Sequence, residues 1–169
     1  MNIALRKILC PVDFSKTSEQ ALRYAVALAE NFDAELVLLH VDELPALAIG
    51  DYYGLSSAEF ELAAPQLPPA AAAALGSKAN DDQDALEAMA GQLQEGHKCR
   101  IRTCRRRGMA FLEIIYSARE EAVDLIVMGT HGRTGLSHVL MGSTAEKVVR
   151  TAPCPVLTVK HPEHEFVMP

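Results

Sequence analysis

Val123-Asp124-Leu125-Ile126-Val127-Met128 runs directly into Gly129-Thr130-His131-Gly132-Arg133-Thr134-Gly135. The first six residues are apolar except for Asp124, as expected of a strand covered on both faces, and such strands belong to parallel sheets. The glycine-rich stretch leaves that strand and ends at Gly142-Ser143-Thr144. A helix from about Ser143 to Arg150 comes next, with Ala145, Val148 and Val149 spaced to face inward. Pro153 and Pro155 bracket the entry to a last strand, Val156-Leu157-Thr158-Val159.

The same alternation extends toward the N-terminus. Residues 5–12, Leu-Arg-Lys-Ile-Leu-Cys-Pro-Val, read as a short strand broken by Asp13-Phe14-Ser15. Ser15, Thr17 and Ser18 offer capping oxygens to a helix whose apolar stripe is Ala21, Leu22, Ala25, Leu28, Ala29 and Phe32. Residues 35–41, Glu-Leu-Val-Leu-Leu-His-Val, form a second buried strand that Asp42 and Glu43 end. Asn80 or Asp81 caps a helix with stripe Ala85, Leu86, Met89, Ala90 and Leu93, stopped by Gly96. Residues 98–104 alternate as an edge strand does. Gly108 precedes a helix with Phe111, Leu112, Ile115 and Ala118 on one face. Five strands and four helices in alternation predict an α/β fold: one open, doubly wound, Rossmann-like parallel sheet with helices on both faces. Ligands of such sheets bind outside the carboxyl ends of the strands, where the strand order reverses.

Residues 44–80 break the pattern, with Pro45, Pro65, Pro68, Pro69 and the run Ala70 to Ala74. They read as an excursion from the core: a lid, a partner contact or a tolerated insertion. The organisation expected is one domain over 1–160 carrying this 44–80 insertion, followed by a tail over 161–169.

Composition narrows the function. The 169 residues hold 16 Lys plus Arg against 22 Asp plus Glu, a net charge of −6, with no Trp and 5% aromatics. The acidic balance argues against a general nucleic-acid-coating role while leaving room for a local basic patch, and few aromatics argue against a stacking platform for single strands. No apolar run approaches the roughly 20 residues that span a bilayer. Arg6 and Lys7 interrupt the apolar stretch of residues 1–10, unlike a signal peptide, and a cytoplasmic location is expected. Cys10, Cys99, Cys104 and Cys154 contain no CxxC pair. Cys99 and Cys104 read as members of one strand, about 16 Å apart and beyond disulfide reach, so reduced structural thiols are expected.

The chemistry concentrates after the central strand. Gly129, Gly132 and Gly142 with Ser143 give the spacing G-x2-G-x9-G-S. Glycine admits positive φ and close approach of a ligand to the main chain. Gly142-Ser143-Thr144 at a helix start would offer N–H groups, hydroxyls and a helix dipole to an anion, with Arg133 adding charge against a phosphate. A plain strand-to-helix turn is the simpler account of the same glycines. Neither GxGxxG nor GxxxxGK[ST] is present.

These residues resemble a known family. Met128 to Gly135, Gly142 to Val148, and Pro153-Cys154-Pro155-Val156 are similar to the universal stress proteins, and Lys7 to Ser15 and Leu38-Leu39-His40-Val41 resemble that family's first two strands. The resemblance implies strand order 3-2-1-4-5 and a homodimer paired through the last strand. It places the chain with the members that carry the intact glycine motif and bind ATP, with the need for Mg2+ left open. Carried over by position, Pro11, Val12, Asp13 and Val41 would meet the adenosine end. Met128, Gly129, Thr130, His131, Gly132, Arg133, Gly142, Ser143 and Thr144 would meet ribose and phosphates. A carboxylate at Asp13 suits a ribose hydroxyl or an amino group rather than a triphosphate, and Val41 offers main-chain groups and an apolar wall to the base. The function implied is that of a nucleotide-responsive binding module in stress response, with an unknown protein partner. A slow ATPase, a nucleotide-dependent transferase and a nucleotide-free interaction protein are the alternatives.

Simpler accounts stand beside several residues. Asp13 also suits a helix N-terminus. Arg105-Arg106-Arg107 reads as a solvated strand end. His161-x-x-His164 has ligand spacing, but two ligands do not make a metal site. His40 reads as a packed or paired strand-end residue, and no GxSxG or HExxH catalytic motif occurs.

Overall fold

The computed structural model describes residues 4–43, 79–131 and 141–160. In chain order its elements are β1 (Lys7–Pro11), α1 (Lys16–Phe32), β2 (Glu35–Glu43), α2 (Ala79–Gly96), β3 (Ile101–Gly108), α3 (Ala110–Glu120), β4 (Leu125–Gly129), α4 (Ser143–Thr151) and β5 (Val156–Val159). The strands are all parallel, in the order β3-β2-β1-β4-β5. This is the expected doubly wound sheet.

Alternation along the strands divides the core in two. Ile8, Cys10, Leu36 and Leu38 face α1 and α2, where Ala21, Ala25, Ala29 and Leu86 cover them. Leu9, Val37, Leu39, Ile126 and Met128 face α3 and α4, against Phe111, Ile114, Ile115 and Val148. Burying each large aliphatic side chain stabilises the fold by about 1.5–3 kcal/mol. Ile114 and Ser117 join the buried face of α3, beyond the residues the periodicity singled out. Val149 and Phe32, expected inward, are 46% and 43% exposed. Phe32 is the last residue of α1, and Val149 lies on the outer side of α4, away from the buried Ala145 and Val148.

β3 starts three residues later than expected and ends at Gly108. Side chains tie down the preceding turn. The Gln94 amide donates to the Cys99 carbonyl and accepts from Ile101 N–H, both at 3.2 Å. Glu30 accepts from Lys98 N–H at 3.0 Å and pairs with His97 at 3.1 Å. The Lys98 hydrogen bond, then His97, holds the Glu30 carboxyl below its usual range. Cys99 is therefore buried ahead of the strand rather than sharing it with Cys104. All four cysteines are free thiols.

Arg105 and Arg106 are half-buried within β3, only Arg107 being exposed as expected of a solvated strand end, and Asp42 and Glu43 extend β2 instead of ending it. Opposite charges explain both. Arg105 grips Asp42 with Nε–Oδ2 at 2.7 Å and Nη2–Oδ1 at 2.8 Å, and Arg106 pairs with Glu120. The Nη2 contact is a charge-assisted hydrogen bond, the stronger kind, and Nε adds proximity of charge.

At the amino ends of the strands, Glu121 accepts from Arg102 at 2.7 Å and from Lys7 at 3.1 Å, with Glu35 completing the cluster. The Arg102 hydrogen bond, then that of Lys7, depresses the Glu121 carboxyl. Asp124 Oδ2 accepts the N–H groups of Arg6 at 2.7 Å and Lys7 at 3.0 Å, which stitches the start of β4 to the start of β1. Asp124, the one charge in its apolar run, thus has a structural task at the sheet's foot.

Candidate functional site

The reversal of strand order falls at β1, flanked by β2 and β4. Beyond Pro11 the chain turns sharply. Val12 N–H donates to the Leu39 carbonyl at 2.8 Å, and Val12 C=O accepts from His40 Nδ1 at 2.8 Å. Asp13 Oδ1 accepts from Ser15 N–H at 3.0 Å. Phe14 takes φ 61°, the left-handed region, with its ring centroid 4.9 Å from that of His40. A left-handed non-glycine residue costs about 1–2 kcal/mol, which the packing of the Phe14 ring offsets. Ser15 is the N-cap of α1, its side chain accepting from Ser18 N–H. Of the three candidate caps, Ser15 is the one used, and Asp13 does support the helix start.

Val41 stands beside this turn. In a parallel ladder alternate residues direct both main-chain groups to the same neighbour. Glu35 N–H bonds to Arg6 of the β1 segment, and Leu39 C=O accepts from Val12, whereas Leu36 N–H bonds to Arg100 on the β3 side. Val41 follows Glu35 and Leu39 in this alternation and directs its N–H and C=O toward β1. The β1–β2 register, however, ends at Pro11↔Leu39. The Val41 groups therefore point past the last registered pair of the β1–β2 ladder.

On the other side of β1, β4 ends at Gly129. A Cβ there would lie 2.8 Å from Thr17 Cγ2 and 3.1 Å from the Thr17 carbonyl carbon. The close approach of β4 to the first turn of α1 is what demands this glycine. Thr17, expected as a cap, is instead the residue on which Gly129 packs. Thr130 is buried and bonded on two sides: its N–H donates to Val159 C=O at 2.9 Å, and its C=O accepts from Gly142 N–H at 2.7 Å. Its hydroxyl meets His131 Nδ1 at 3.0 Å. The chain thus leaves at His131 and returns at Gly142 through one closed neck.

Gly142 is the N-cap of α4 with φ −70° and ψ 155°, so positive φ is not the reason for glycine here. The cap supplies no side-chain acceptor to the first turn of α4, which begins at Ser143 near the carboxyl end of the sheet. Ser143 is exposed and Thr144 half-buried. Lys147, one turn on, lies 4.3 Å from the Phe111 ring centroid and anchors α4 to α3.

The fold thus brings Pro11, Val12, Asp13, Val41, Met128, Gly129, Thr130, His131, Gly142, Ser143 and Thr144 to one end of the sheet. Gly132, Arg133, the excursion up to residue 78 and the His161-x-x-His164 pair lie outside the described residues. Among the described residues no group of three or more His, Cys, Asp or Glu is placed to hold a metal, and no helix is long and apolar enough to cross a membrane. Two contributors carry no motif. Phe14 sits left-handed under an otherwise ordinary letter, and His40 is visible in the sequence only as a strand-end histidine.

Known proteins share this fold. The family model described as the universal stress protein family matches residues 4–160. Universal stress protein MJ0531 of Methanocaldococcus jannaschii is 34% identical over 161 residues, covering 95% of this chain and 85% of the relative. Universal stress protein MJ0577 of the same organism is 32% identical over 171 residues, covering 95% and 98%. The solved structure of MJ0577 superposes with a TM-score of 0.72 over 96% of this chain and 100% of that one, at 27% identity. A universal stress protein family protein from Arabidopsis thaliana, with AMP bound, shares the fold at a TM-score of 0.59 and 18% identity over 94% and 93% of the two chains. A family match from residue 4 to residue 160, on a sheet wound in the expected order, makes this chain a member of the universal stress protein family.

Proposed function

We propose that the protein binds an adenine nucleotide, ATP in the first instance, at the carboxyl end of β1, β2 and β4, and acts as a nucleotide-responsive binding module in stress response. The observation that carries this reading is the interrupted ladder at Val41. A main-chain N–H and C=O side by side match the ring-nitrogen acceptor and amino donor on one edge of adenine. Across the cleft, the uncapped first turn of α4 suits phosphate by its N–H groups and dipole. The donor set is graded to fit: a carboxylate at Asp13 near the sugar, and amides and hydroxyls of Gly142, Ser143 and Thr144 near the anion. Gly132 and Arg133 complete the phosphate side in this reading. AMP in the Arabidopsis neighbour is a ligand of the same chemistry on the same fold.

The protein would act in the cytoplasm as one domain over 1–160 with a separate tail. It would also dimerise through β5, an edge strand beside the exposed Val149 and Leu157. The central test is chemical. Purified protein is denatured, the supernatant chromatographed, and the refolded or nucleotide-stripped protein titrated with ATP in the presence and absence of Mg2+. Release of an adenine nucleotide, or saturable binding of added ATP, supports the reading. The absence of both nucleotide release and heat of binding overturns it.

A further inference from the structure

We infer that His40 is a positioning residue that keeps the Val41 edge open for the base, by drawing the Val12 carbonyl out of the β1–β2 ladder. The inference rests on the nucleotide reading above and deepens it, because it says what holds the proposed adenine slot ready.

Hydrogen-bond direction is decisive. A ladder continued by one step would turn Val12 C=O toward Val41 N–H, as the bond from Val12 N–H to Leu39 C=O already anticipates. The Val12 carbonyl instead accepts from His40 Nδ1 at 2.8 Å. A carbonyl oxygen only accepts, so Nδ1 carries the proton and the ring's orientation is set. His40 lies on the α1 face of β2, in step with Leu36 and Leu38, and is 3% exposed. The bond therefore pulls the carbonyl down toward that face and away from the plane of the sheet.

The histidine is itself held. The Phe14 ring packs against it at 4.9 Å, and Nε2 lies 3.9 Å from Asp42 Oδ1, whose carboxylate is gripped by Arg105. Arg105, Asp42 and His40 thus lie in sequence between the edge strand β3 and the turn after β1, the His40–Asp42 step being a 3.9 Å approach rather than a hydrogen bond. Replacing His40 with an apolar residue leaves the Val12 carbonyl needing a donor, and Val41 N–H is the nearest one the ladder geometry supplies. The ladder would then close by one rung over the slot.

Two measurements test this. Amide hydrogen exchange of the nucleotide-free protein reads the rung directly. Val41 N–H is expected to exchange at least tenfold more slowly in His40→Leu than in the parent, with His40→Asn, whose amide can replace Nδ1 as donor, remaining close to the parent. Unchanged Val41 exchange in His40→Leu overturns the inference. Calorimetric titration with ATP, ITP and inorganic tripolyphosphate reads the consequence. His40→Leu is expected to lose at least tenfold in ATP affinity while tripolyphosphate and ITP change less than about twofold, and His40→Asn recovers much of the loss. An equal loss for all three ligands marks a merely structural histidine and overturns the inference. Parent protein that binds ATP, with His40→Leu binding it equally well, overturns this inference alone. Parent protein that binds no adenine nucleotide overturns the proposed function with it.

Discussion

Gly129 at the end of β4 packs on Thr17 in the first turn of α1 so closely that a methyl group has no room: its carbon would stand 2.8 Å from Thr17 Cγ2. Overpacking of this kind costs about 1–3 kcal/mol. Gly129→Ala is expected to lower stability in urea melts by that amount. Adding Thr17→Ser should return part of the loss by removing Cγ2, while the Thr17 main chain keeps the remainder. A double-mutant cycle from urea melts measures the coupling, and additive losses would show that the two residues do not meet.

Gly142 behaves differently. Its φ of −70° is open to any residue, and an added Cβ would come 3.2 Å from the Thr130 carbonyl, tight but without a side chain in the way. Gly142→Leu is expected to cost no more than about 1 kcal/mol of stability, the scale of ordinary surface substitutions at a cap. It should nevertheless reduce ATP affinity at least tenfold by filling the mouth of α4. Calorimetric titration beside a thermal melt separates the two effects. Full affinity in a well-folded variant would remove Gly142 from the site.

Glu121 predicts how stability depends on pH. Its carboxyl is depressed from 4.5, first by the Arg102 hydrogen bond and then by that of Lys7. A depressed carboxyl contributes stability that is present above its unfolded pKa and lost as pH falls through the folded value. Glu121→Gln should therefore be less stable than the parent by about 0.5–1 kcal/mol near pH 7, the range for partly exposed pairs. The gap should hold down to about pH 5 and narrow below about 4.5. Denaturant melts of both proteins from about pH 3 to about pH 7 check this, and a gap that widens on acidification would contradict it.

The Cys10 thiol is fully buried, and burial pushes its pKa up to about 12. Burial raises Cys99 and Cys154 as well. A thiol kept protonated is a poor nucleophile. Cys10 is expected to resist iodoacetamide at about pH 8 in the folded protein and to react fully in concentrated guanidinium, as read by peptide mass spectrometry. Fast modification of native Cys10 would contradict the packing of β1 against α1.

Strand order and helix placement are legible in the sequence because each element carries a long apolar pattern, as Leu36 to Leu39 and Ile126 to Met128 illustrate. Pattern misleads where a charge mimics an ending. Asp42 looks like a strand breaker until Arg105 from the neighbouring strand neutralises it, and that pairing joins residues 63 positions apart. The turn at residues 97–100 is hidden for a similar reason, since Glu30 holds it from α1 while Gln94 holds it from the end of α2. In the candidate site, the glycine spacing locates the neck but not its causes. Gly129 answers to Thr17, and Gly142 to a hydrogen bond with Thr130, neither of which a motif encodes. His40 gives no signal because its role depends on where Val12 turns.

The sheet has a fault line. β2 and β3 stay in register from Leu36↔Ile101 to Glu43↔Gly108, whereas β1 meets β4 at Ile8↔Leu125 and Leu9↔Ile126. Asp124 rivets the lower end of that short boundary to Arg6 and Lys7. Both core layers cross that boundary, Leu9 and Val37 sharing one side with Ile126 and Met128 and Ile8 sharing the other with Val127, so a short ladder leaves the union of the two halves to side-chain packing.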